Sequence, residues 1–136
     1  PSYEDIWRVT GGNPRLLGLL YSFHWDPEKV VVELIRGKGI EIFISSLGEV
    51  ERRYLLEAIE DPDTLLSRER IYLLNELVKM NLVVDNISGR ENWYWIDHPP
   101  PEKDPELGIG RYVAWQTPLH REAVKRALIK FYKVDQ

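Results

Sequence analysis

The residues best suited to chemistry lie near the start of the chain, in the run Thr10-Gly11-Gly12-Asn13-Pro14-Arg15. Asn13 is a favoured N-cap residue and Pro14 fits a first helical turn, so the run predicts a helix that begins here. Arg15 then places a cation in that first turn, where the helix dipole prefers an anion by about 0.3–1 kcal/mol. The pattern therefore predicts a glycine hinge at Gly11 and Gly12, followed by a helix whose first turn faces an anion.

Three histidines, His24, His98 and His120, are the other residues that could bind a metal or move a proton. They are far apart in the sequence, and none has a cysteine or a paired carboxylate at ligand spacing, which disfavours a zinc site. Asp97-His98 and His120-Arg121-Glu122 could form acid–base pairs, but no nucleophile or oxyanion donor accompanies them. Core or surface roles are favoured for the histidines, and catalysis within this chain is disfavoured.

Residues 3–23 resemble the sensor-2 region of P-loop ATPases of the AAA+ and STAND class, and most closely the archaeal ATPase family. In that family a short helix, similar to residues 3–9 here, leads into Gly-Gly-x-Pro and a second helix, which forms a lid over the nucleotide. Many STAND relatives lack the arginine and use the Gly-x-Pro turn itself, and an ordinary helix–turn–helix corner is the alternative. The residues that the resemblance places at the phosphates of ATP are Gly11, Gly12, Pro14 and Arg15.

A P-loop, Gly-x-x-x-x-Gly-Lys-Ser/Thr, is absent from the 136 residues. The nearest approach, Gly37-Lys38-Gly39, lacks the upstream glycine and the following hydroxyl, so this chain is not expected to hydrolyse ATP alone. The resemblance implies the C-terminal part of a longer ATPase, whose N-terminal P-loop domain would bind ATP with Mg and would be this segment's first partner. The fragment alone is expected to bind no cofactor.

Composition limits the other possibilities. The chain has no cysteine, and its sequence contains no signal peptide or long apolar run, so we expect a cytoplasmic protein without a membrane partner. The net charge of −4 argues against indiscriminate nucleic-acid binding. Residues 41–67 carry a net charge of −5 and residues 111–133 carry +5. These two segments are predicted to pair with each other or with other domains of a parent protein.

Helical spacing of apolar residues organises the middle of the chain. Asp26-Pro27 predicts the start of a second long helix, although Arg36-Gly37-Lys38-Gly39 could instead form a hairpin turn. Residues 48–60 predict an amphipathic helix that Asp61-Pro62-Asp63 ends. The next helix is predicted from Ser67, and its buried stripe should consist of Ile71, Leu74, Leu77, Val78 and Leu82.

The other face of that helix could contact DNA or a protein through Arg68, Tyr72, Asn75 and Lys79. Residues 82–85 and 93–97 then read as two strands around a polar turn, so the order helix, helix, hairpin resembles a winged helix. Archaeal ATPases of this family commonly carry such a domain after the lid. Two features disfavour DNA binding: the compact middle helix of a helix-turn-helix is absent or vestigial, and acidic residues outnumber Arg90 in the proposed wing.

The C-terminal part combines a stiff loop, a strand and a helix. Prolines between residues 99 and 105 predict an exposed loop, and residues 110–116 predict a strand able to pair with residues 93–96. The aromatic residues of these strands, including Trp93, Trp95 and Trp115, could stack bases, but one buried face and one partner face is favoured. A final helix should begin at Thr117-Pro118, with Val124, Ala127, Leu128 and Phe131 pointing inward.

The outer face of the final helix is basic and includes Arg121 and Lys125. It could bind nucleic acid, or it could dock on the acidic helix at residues 48–60.

Together these patterns predict a mainly α fold with a small antiparallel sheet, divided into a helical lid at residues 1–46 and a winged-helix-like domain at residues 47–136. The expected function is to couple the ATP state of a P-loop ATPase to a DNA or protein partner. The alternative is a stand-alone winged-helix module that binds DNA or a protein.

Overall fold

The computed structural model of the chain describes residues 14–85 and 103–134. These residues form six α-helices, two short 3-10 helices and a two-stranded antiparallel sheet, so the predicted mainly α fold with a small sheet is confirmed. The helices are α1 (Pro14–Ser22), α2 (Pro27–Gly37), α3 (Ile40–Ser46), α4 (Glu49–Glu60), α5 (Ile71–Lys79) and α6 (Pro118–Val134). The strands are β1 (Val83–Val84) and β2 (Ala114–Trp115), and the 3-10 helices are Pro62–Leu65 and Pro105–Leu107.

Several predicted features lie outside the described residues. They are the short helix at residues 3–9, the hinge at Gly11 and Gly12, the cap at Asn13, and the wing at residues 86–97 with the first prolines of the stiff loop.

Proline at the first helical position marks three of the helix starts, as the sequence predicts. α1 begins at Pro14, α2 at Pro27 and α6 at Pro118. The Asp26 carboxylate caps α2 by accepting a hydrogen bond from the Glu28 N–H at 3.0 Å. The Thr117 hydroxyl oxygen accepts one from the His120 N–H at 3.2 Å at the start of α6. These starts follow from local chemistry, which is why the sequence reveals them.

The single long helix predicted after Asp26 is wrong, because the structure contains two helices, α2 and α3, with a joint at Lys38 and Gly39. Gly39 has φ 63° and ψ 36°, the left-handed conformation that ends a right-handed helix and that glycine adopts without steric cost. The chain therefore changes direction at Gly39 but does not form a hairpin. This joint brings the side chain of Lys38 between helix ends.

Two glycines at this joint are expected to respond oppositely to alanine. A Cβ at Gly39 would meet no atom within 4 Å, so Gly39→Ala should cost only the backbone strain of a positive φ, about 1 kcal/mol. Gly37 ends α2 without a positive φ, and Gly37→Ala should stabilise the protein by about 0.5 kcal/mol. Urea unfolding of the two variants measures both changes. Equal effects of the same sign would contradict this account of the joint.

α4 ends where Asp61-Pro62-Asp63 predicts, and the Asp61 carboxylate caps the 3-10 helix by accepting from the Asp63 N–H at 3.1 Å. α5 begins at Ile71, not at Ser67, since residues 68–70 form a turn. The later start corrects part of the predicted stripe: Ile71 is 44% exposed, whereas Leu73 is buried beside Leu74 and Leu77. Residues 71 and 73 lie about 200° apart around a helix, so only one of them can face the core.

β1 and β2 pair in an antiparallel manner, with Val83 opposite Trp115 and Val84 opposite Ala114. Both strands are shorter than predicted. The predicted pairing of this second strand with residues 93–96 falls outside the described residues. The Gly110 N–H donates a hydrogen bond to the Val113 carbonyl at 2.8 Å. Residues 110–113 therefore form a turn, although they were predicted to belong to the strand.

α6 packs against α2, α3 and α4 and thereby joins the two halves of the chain. Val124, Ala127 and Leu128 are buried and Phe131 is partly buried, as predicted. The buried side chains form one cluster that extends from Leu16 to Leu128 and crosses the boundary proposed between residues 46 and 47. The division into two domains stays a prediction. None of the helices in the described parts of the chain is long and apolar enough to cross a membrane.

Candidate functional site

Arg15 and Lys38 lie at one corner of the helical core. Arg15 is exposed in the first turn of α1, and Lys38 is half-buried at the C-terminal end of α2. The Lys38 Nζ donates a hydrogen bond to the Met80 carbonyl at 3.0 Å, immediately after α5. Burial lowers the pKa of Lys38, and the nearby charge of Arg15 lowers it further. The corner therefore holds two like charges at the meeting point of three helix ends.

His120 belongs to the same corner, in the first turn of α6. It is only 6% exposed, and its Nδ1 lies 2.7 Å from the hydroxyl oxygen of Thr117. Because that hydroxyl already accepts from the His120 N–H, its own proton can be donated to Nδ1 of a neutral ring. Burial lowers the pKa of His120 to about 4, and the charge of Lys38 contributes to this shift. His120 is therefore a neutral core residue at pH 7, in line with the core role favoured for it.

No carboxylate in residues 14–85 or 103–134 forms an ion pair with Arg15 or Lys38. Elsewhere in the described chain, carboxylates pair with Arg52, Arg70, Lys79, Lys103, Arg126 and Lys130. An anion from outside would relieve the repulsion between Arg15 and Lys38, which makes this corner the strongest candidate site. Pro14 begins the helix that carries Arg15, while Gly11 and Gly12 lie outside the described residues.

Sequence reasoning identified Arg15 but missed Lys38, which lies near Arg15, and His120, which lies near Lys38. In the sequence, Lys38 belongs to an incomplete P-loop match and to a possible hairpin turn, and neither pattern places it beside Arg15. Its position beside Arg15 depends on the joint between α2 and α3 and on the packing of α5. No local signal in the sequence carries that information.

The four residues that the sequence predicts to contact DNA or a protein are all exposed. Tyr72 is 67% exposed, and Asn75 and Lys79 lie on the surface of the same helix, whereas Arg68 lies in the preceding turn. The Lys79 Nζ is 3.6 Å from a Glu76 carboxylate oxygen, so a DNA phosphate would compete with an acidic neighbour. The structure brings three of the four residues onto one helix surface, and their DNA or partner role stays a prediction.

The basic outer face of α6 is largely occupied by contacts within the protein. Arg126 pairs with Glu28, with Nη1 and the carboxylate oxygen 2.6 Å apart, and Lys130 pairs with Glu41 at 2.9 Å. Arg121 donates from Nε to the Ile59 carbonyl at 2.6 Å, at the end of α4. Ion pairs within the chain therefore account for part of the positive charge of α6. Arg121 contacts the acidic helix α4 through a backbone carbonyl. A binding role for Lys125, which is half-buried, stays a prediction.

Arg121 has a clear structural task. In a continued helix the Ile59 carbonyl would accept from the N–H of residue 63, but the Asp63 N–H is taken by the Asp61 carboxylate. Arg121 supplies the missing donor, and its positive charge suits the C-terminal end of α4.

Asp63 anchors the loop that leads into β2. Its Oδ2 accepts from the Arg111 N–H at 2.7 Å, and its Oδ1 accepts from the N–H groups of Tyr112 and Val113 at 2.9 and 3.0 Å. The Lys103 Nζ lies 3.2 Å from Oδ2. A Cβ at Gly110 would lie only 2.5 Å from Oδ1, so this close approach requires glycine there. Burial by itself raises the pKa of Asp63, but the three N–H donors and Lys103 together lower it below its usual value.

Asp63→Ala is expected to destabilise the protein by about 2 kcal/mol, because three backbone donors lose a charged acceptor at once. Asp63→Asn should cost less, since the amide oxygen can still accept from some of these donors. Asp85→Ala removes an exposed carboxylate that forms no ion pair with residues 14–85 or 103–134, and it serves as the control, with a change under about 0.5 kcal/mol. Denaturant unfolding at pH 7 checks all three. Equal stability of the Asp63→Ala and Asp85→Ala variants would contradict the anchoring role.

Within the described ranges, no three His, Asp or Glu side chains come together in a way that could hold a metal ion. Comparisons of the chain with protein-family models, with curated proteins and with solved structures find no match. The functional argument therefore depends on the residues of the chain itself.

Proposed function

We propose that this chain is a nucleotide-sensing lid and winged-helix-like region at the C-terminal end of an archaeal P-loop ATPase, and that it couples the ATP state to a DNA or protein partner. The proposal comes from the resemblance of residues 3–23 to a sensor-2 region. The observation that supports it best is the corner where Arg15 and Lys38 stand close together without a carboxylate partner among the described residues.

The corner offers a route from the nucleotide to the rest of the molecule. Arg15 would contact the phosphates of ATP that the P-loop domain holds with Mg, and the added negative charge would offset the repulsion at Lys38. Lys38 forms a hydrogen bond with the Met80 carbonyl directly after α5. A change at Arg15 would then reach the helix that carries Tyr72 and Asn75 through one side chain. This coupling requires a difference in affinity between two states of the lid.

The proposal is tested first in the gene that encodes the chain. The reading frame upstream of Pro1 should contain Gly-x-x-x-x-Gly-Lys-Ser/Thr within a few hundred codons. A stop codon or a start codon directly before Pro1 would overturn the ATPase proposal.

In the full-length protein, Arg15→Ala is expected to weaken nucleotide binding or hydrolysis by about tenfold or more, since a charged hydrogen bond contributes about 1.5–3 kcal/mol. Arg53→Ala is the matched control, because Arg53 is exposed on α4 without an ion pair among the described residues. Nucleotide titration and steady-state hydrolysis measure the change. An Arg15→Ala protein that matches the Arg53→Ala protein in both would exclude the sensing role.

The second candidate is a stand-alone winged-helix module that binds duplex DNA or a protein. The exposed α5 residues Tyr72, Asn75 and Lys79 favour it. DNA binding predicts an affinity that falls with salt and that Arg68→Ala and Lys79→Ala reduce, together with the salt slope. An affinity that survives high salt would favour a protein partner instead.

A further inference from the structure

The turn between α1 and α2 holds two consecutive residues in the left-handed conformation. His24 has φ 56° and Trp25 has φ 63°. A helix commonly ends at one left-handed residue, and that residue is usually glycine, because a Cβ makes this conformation unfavourable. Histidine adopts it more readily than most residues, but a bulky residue such as tryptophan rarely does. The turn therefore stores backbone strain, which contacts around it must offset.

Contacts between the turn and α1 hold this conformation. The Trp25 N–H donates a hydrogen bond to the Leu20 carbonyl at 2.6 Å, and the His24 N–H donates one to the Tyr21 carbonyl at 3.2 Å. The Trp25 ring meets the Tyr21 ring edge-on, with the ring centroids 6.0 Å apart, and it is partly buried against the core. These contacts fix the angle between α1 and α2. When they break, both residues can return to ordinary values of φ.

α1 itself is held to the rest of the fold by a small contact. Its buried side chains are Leu16 and Leu20, and α2 is the element of the described chain that it contacts most. Gly18 lowers the stability of the helix, and its nine residues include no acidic residue in the first turn and no basic residue in the last. Arg15 lies close enough to Lys38 for their charges to oppose each other. Elements with little buried apolar surface open most easily.

We propose that α1 is a movable element that swings away from α2 about His24 and Trp25 while the rest of the fold stays intact. Release of the backbone strain in this turn offsets part of the cost of exposing the two buried leucines of α1. Because α1 carries Arg15, the same movement takes Arg15 away from Lys38 and separates the two charges of the candidate site. The position of α1 therefore controls whether that site is assembled. The proposal does not depend on the ATPase hypothesis, since it concerns only α1, α2 and the turn between them.

The chain has no cysteine, so a single introduced thiol reports its own exposure. Leu20→Cys places a thiol beneath α1, and Leu128→Cys places one in α6, where the replaced leucine is buried to the same degree. A thiol-reactive disulfide reagent should modify the Leu20→Cys protein at least about a hundredfold faster than the Leu128→Cys protein, since local opening requires less free energy than global unfolding. The Leu20→Cys rate should also rise less steeply with urea, because local opening exposes less surface.

A second substitution tests the strained turn. His24→Gly, added to the Leu20→Cys protein, relieves strain in the closed state and should slow thiol modification about three- to fivefold. Asn81→Gly is the matched control, because Asn81 also has φ 56° but lies just after α5. It should leave the Leu20→Cys rate unchanged, since residue 81 keeps its conformation when α1 alone opens.

Hydrogen exchange of the unsubstituted chain gives an independent measurement that does not depend on how well the cysteine variants fold. Amides of residues 19–22 in α1 should be at least about a hundredfold less protected than those of residues 124–128 in α6. Equal protection of the two segments, or equal rates and urea dependence of the two thiols, would overturn the proposal. So would unprotected amides in residues 19–22, which would mean that α1 is never closed. The strained turn is excluded as the pivot if His24→Gly does not slow thiol modification, or if Asn81→Gly slows it equally.

Discussion

Trp115→Ala is expected to destabilise the protein by about 3–5 kcal/mol, the largest effect of any single substitution considered. Trp115 lies on β2 and is only 2% exposed. Its removal would leave a large cavity between the sheet and α4. Total stabilities of domains are about 5–15 kcal/mol, so this variant should be close to unfolded at moderate temperature.

The indole also completes a helix end. The Ala58 carbonyl in α4 would ordinarily accept from the N–H of residue 62, but residue 62 is proline and has no N–H. Trp115 supplies the donor from Nε1 at 2.9 Å. Loss of this donor leaves a buried carbonyl without its partner, which accounts for about 1–3 kcal/mol of the total effect.

Two control variants separate these contributions. Trp115→Phe keeps an aromatic ring and loses the N–H, so it should cost about 1–2 kcal/mol. Tyr112→Ala removes an aromatic side chain that is 48% exposed and should cost less than Trp115→Phe. Urea unfolding at pH 7 ranks the three proteins. If Trp115→Ala were no worse than Trp115→Phe, the packing argument would be wrong.

The parts of the fold that the sequence predicts well depend on neighbouring residues. Asp26-Pro27 and Thr117-Pro118 combine a cap with a proline, and each marks a helix start in the structure. Asp61-Pro62 likewise ends α4. Capping and the missing proline N–H act within one helical turn, so a linear sequence is sufficient to predict them.

The parts that the sequence does not predict depend on contacts between distant residues. Gly39 could have continued a helix at a modest cost, and the packing of α3 against α6 accompanies its left-handed conformation. The pairing of β2 with β1 joins residues about 30 positions apart, and nothing in either two-residue strand specifies its partner.

The candidate site shows the same limit. Arg15 lies in the first turn of α1, as the proline at position 14 predicts. The position of Lys38 beside it, and of His120 next to Lys38, requires the assembled ends of α1, α2 and α6.

His120 is expected to make the protein less stable as the pH falls from 6.5 toward 4. In the unfolded chain the ring has a pKa near 6.5, whereas burial, together with the charge of Lys38, lowers the pKa of the folded state to about 4. Between these values the unfolded state binds more protons, so acidification favours unfolding. The free energy of unfolding at pH 4 should be lower than that above pH 6.5 by an amount on the order of 3 kcal/mol.

His120→Asn isolates this contribution, because the amide oxygen can accept from the Thr117 hydroxyl and does not titrate in this range. The variant should be less stable than the wild-type protein at pH 7, since it loses buried ring surface, and the gap should narrow as the pH falls to 4. His24→Asn changes an exposed histidine and should keep the wild-type pH dependence. Urea unfolding at half-unit pH steps supplies the three curves.

A third variant tests the physical cause. Lys38→Met removes a nearby charge that lowers the pKa of His120 and keeps an unbranched apolar chain in its place, so it should raise that pKa toward 6.5 and reduce the loss of stability between pH 6.5 and pH 4. The shift should be partial, because burial is the larger cause and remains. A Lys38→Met curve that coincides with the wild-type curve would mean that the two groups do not interact. Burial alone would then account for the lowered pKa of His120, and no electrostatic link would join α2 and α6 at this corner.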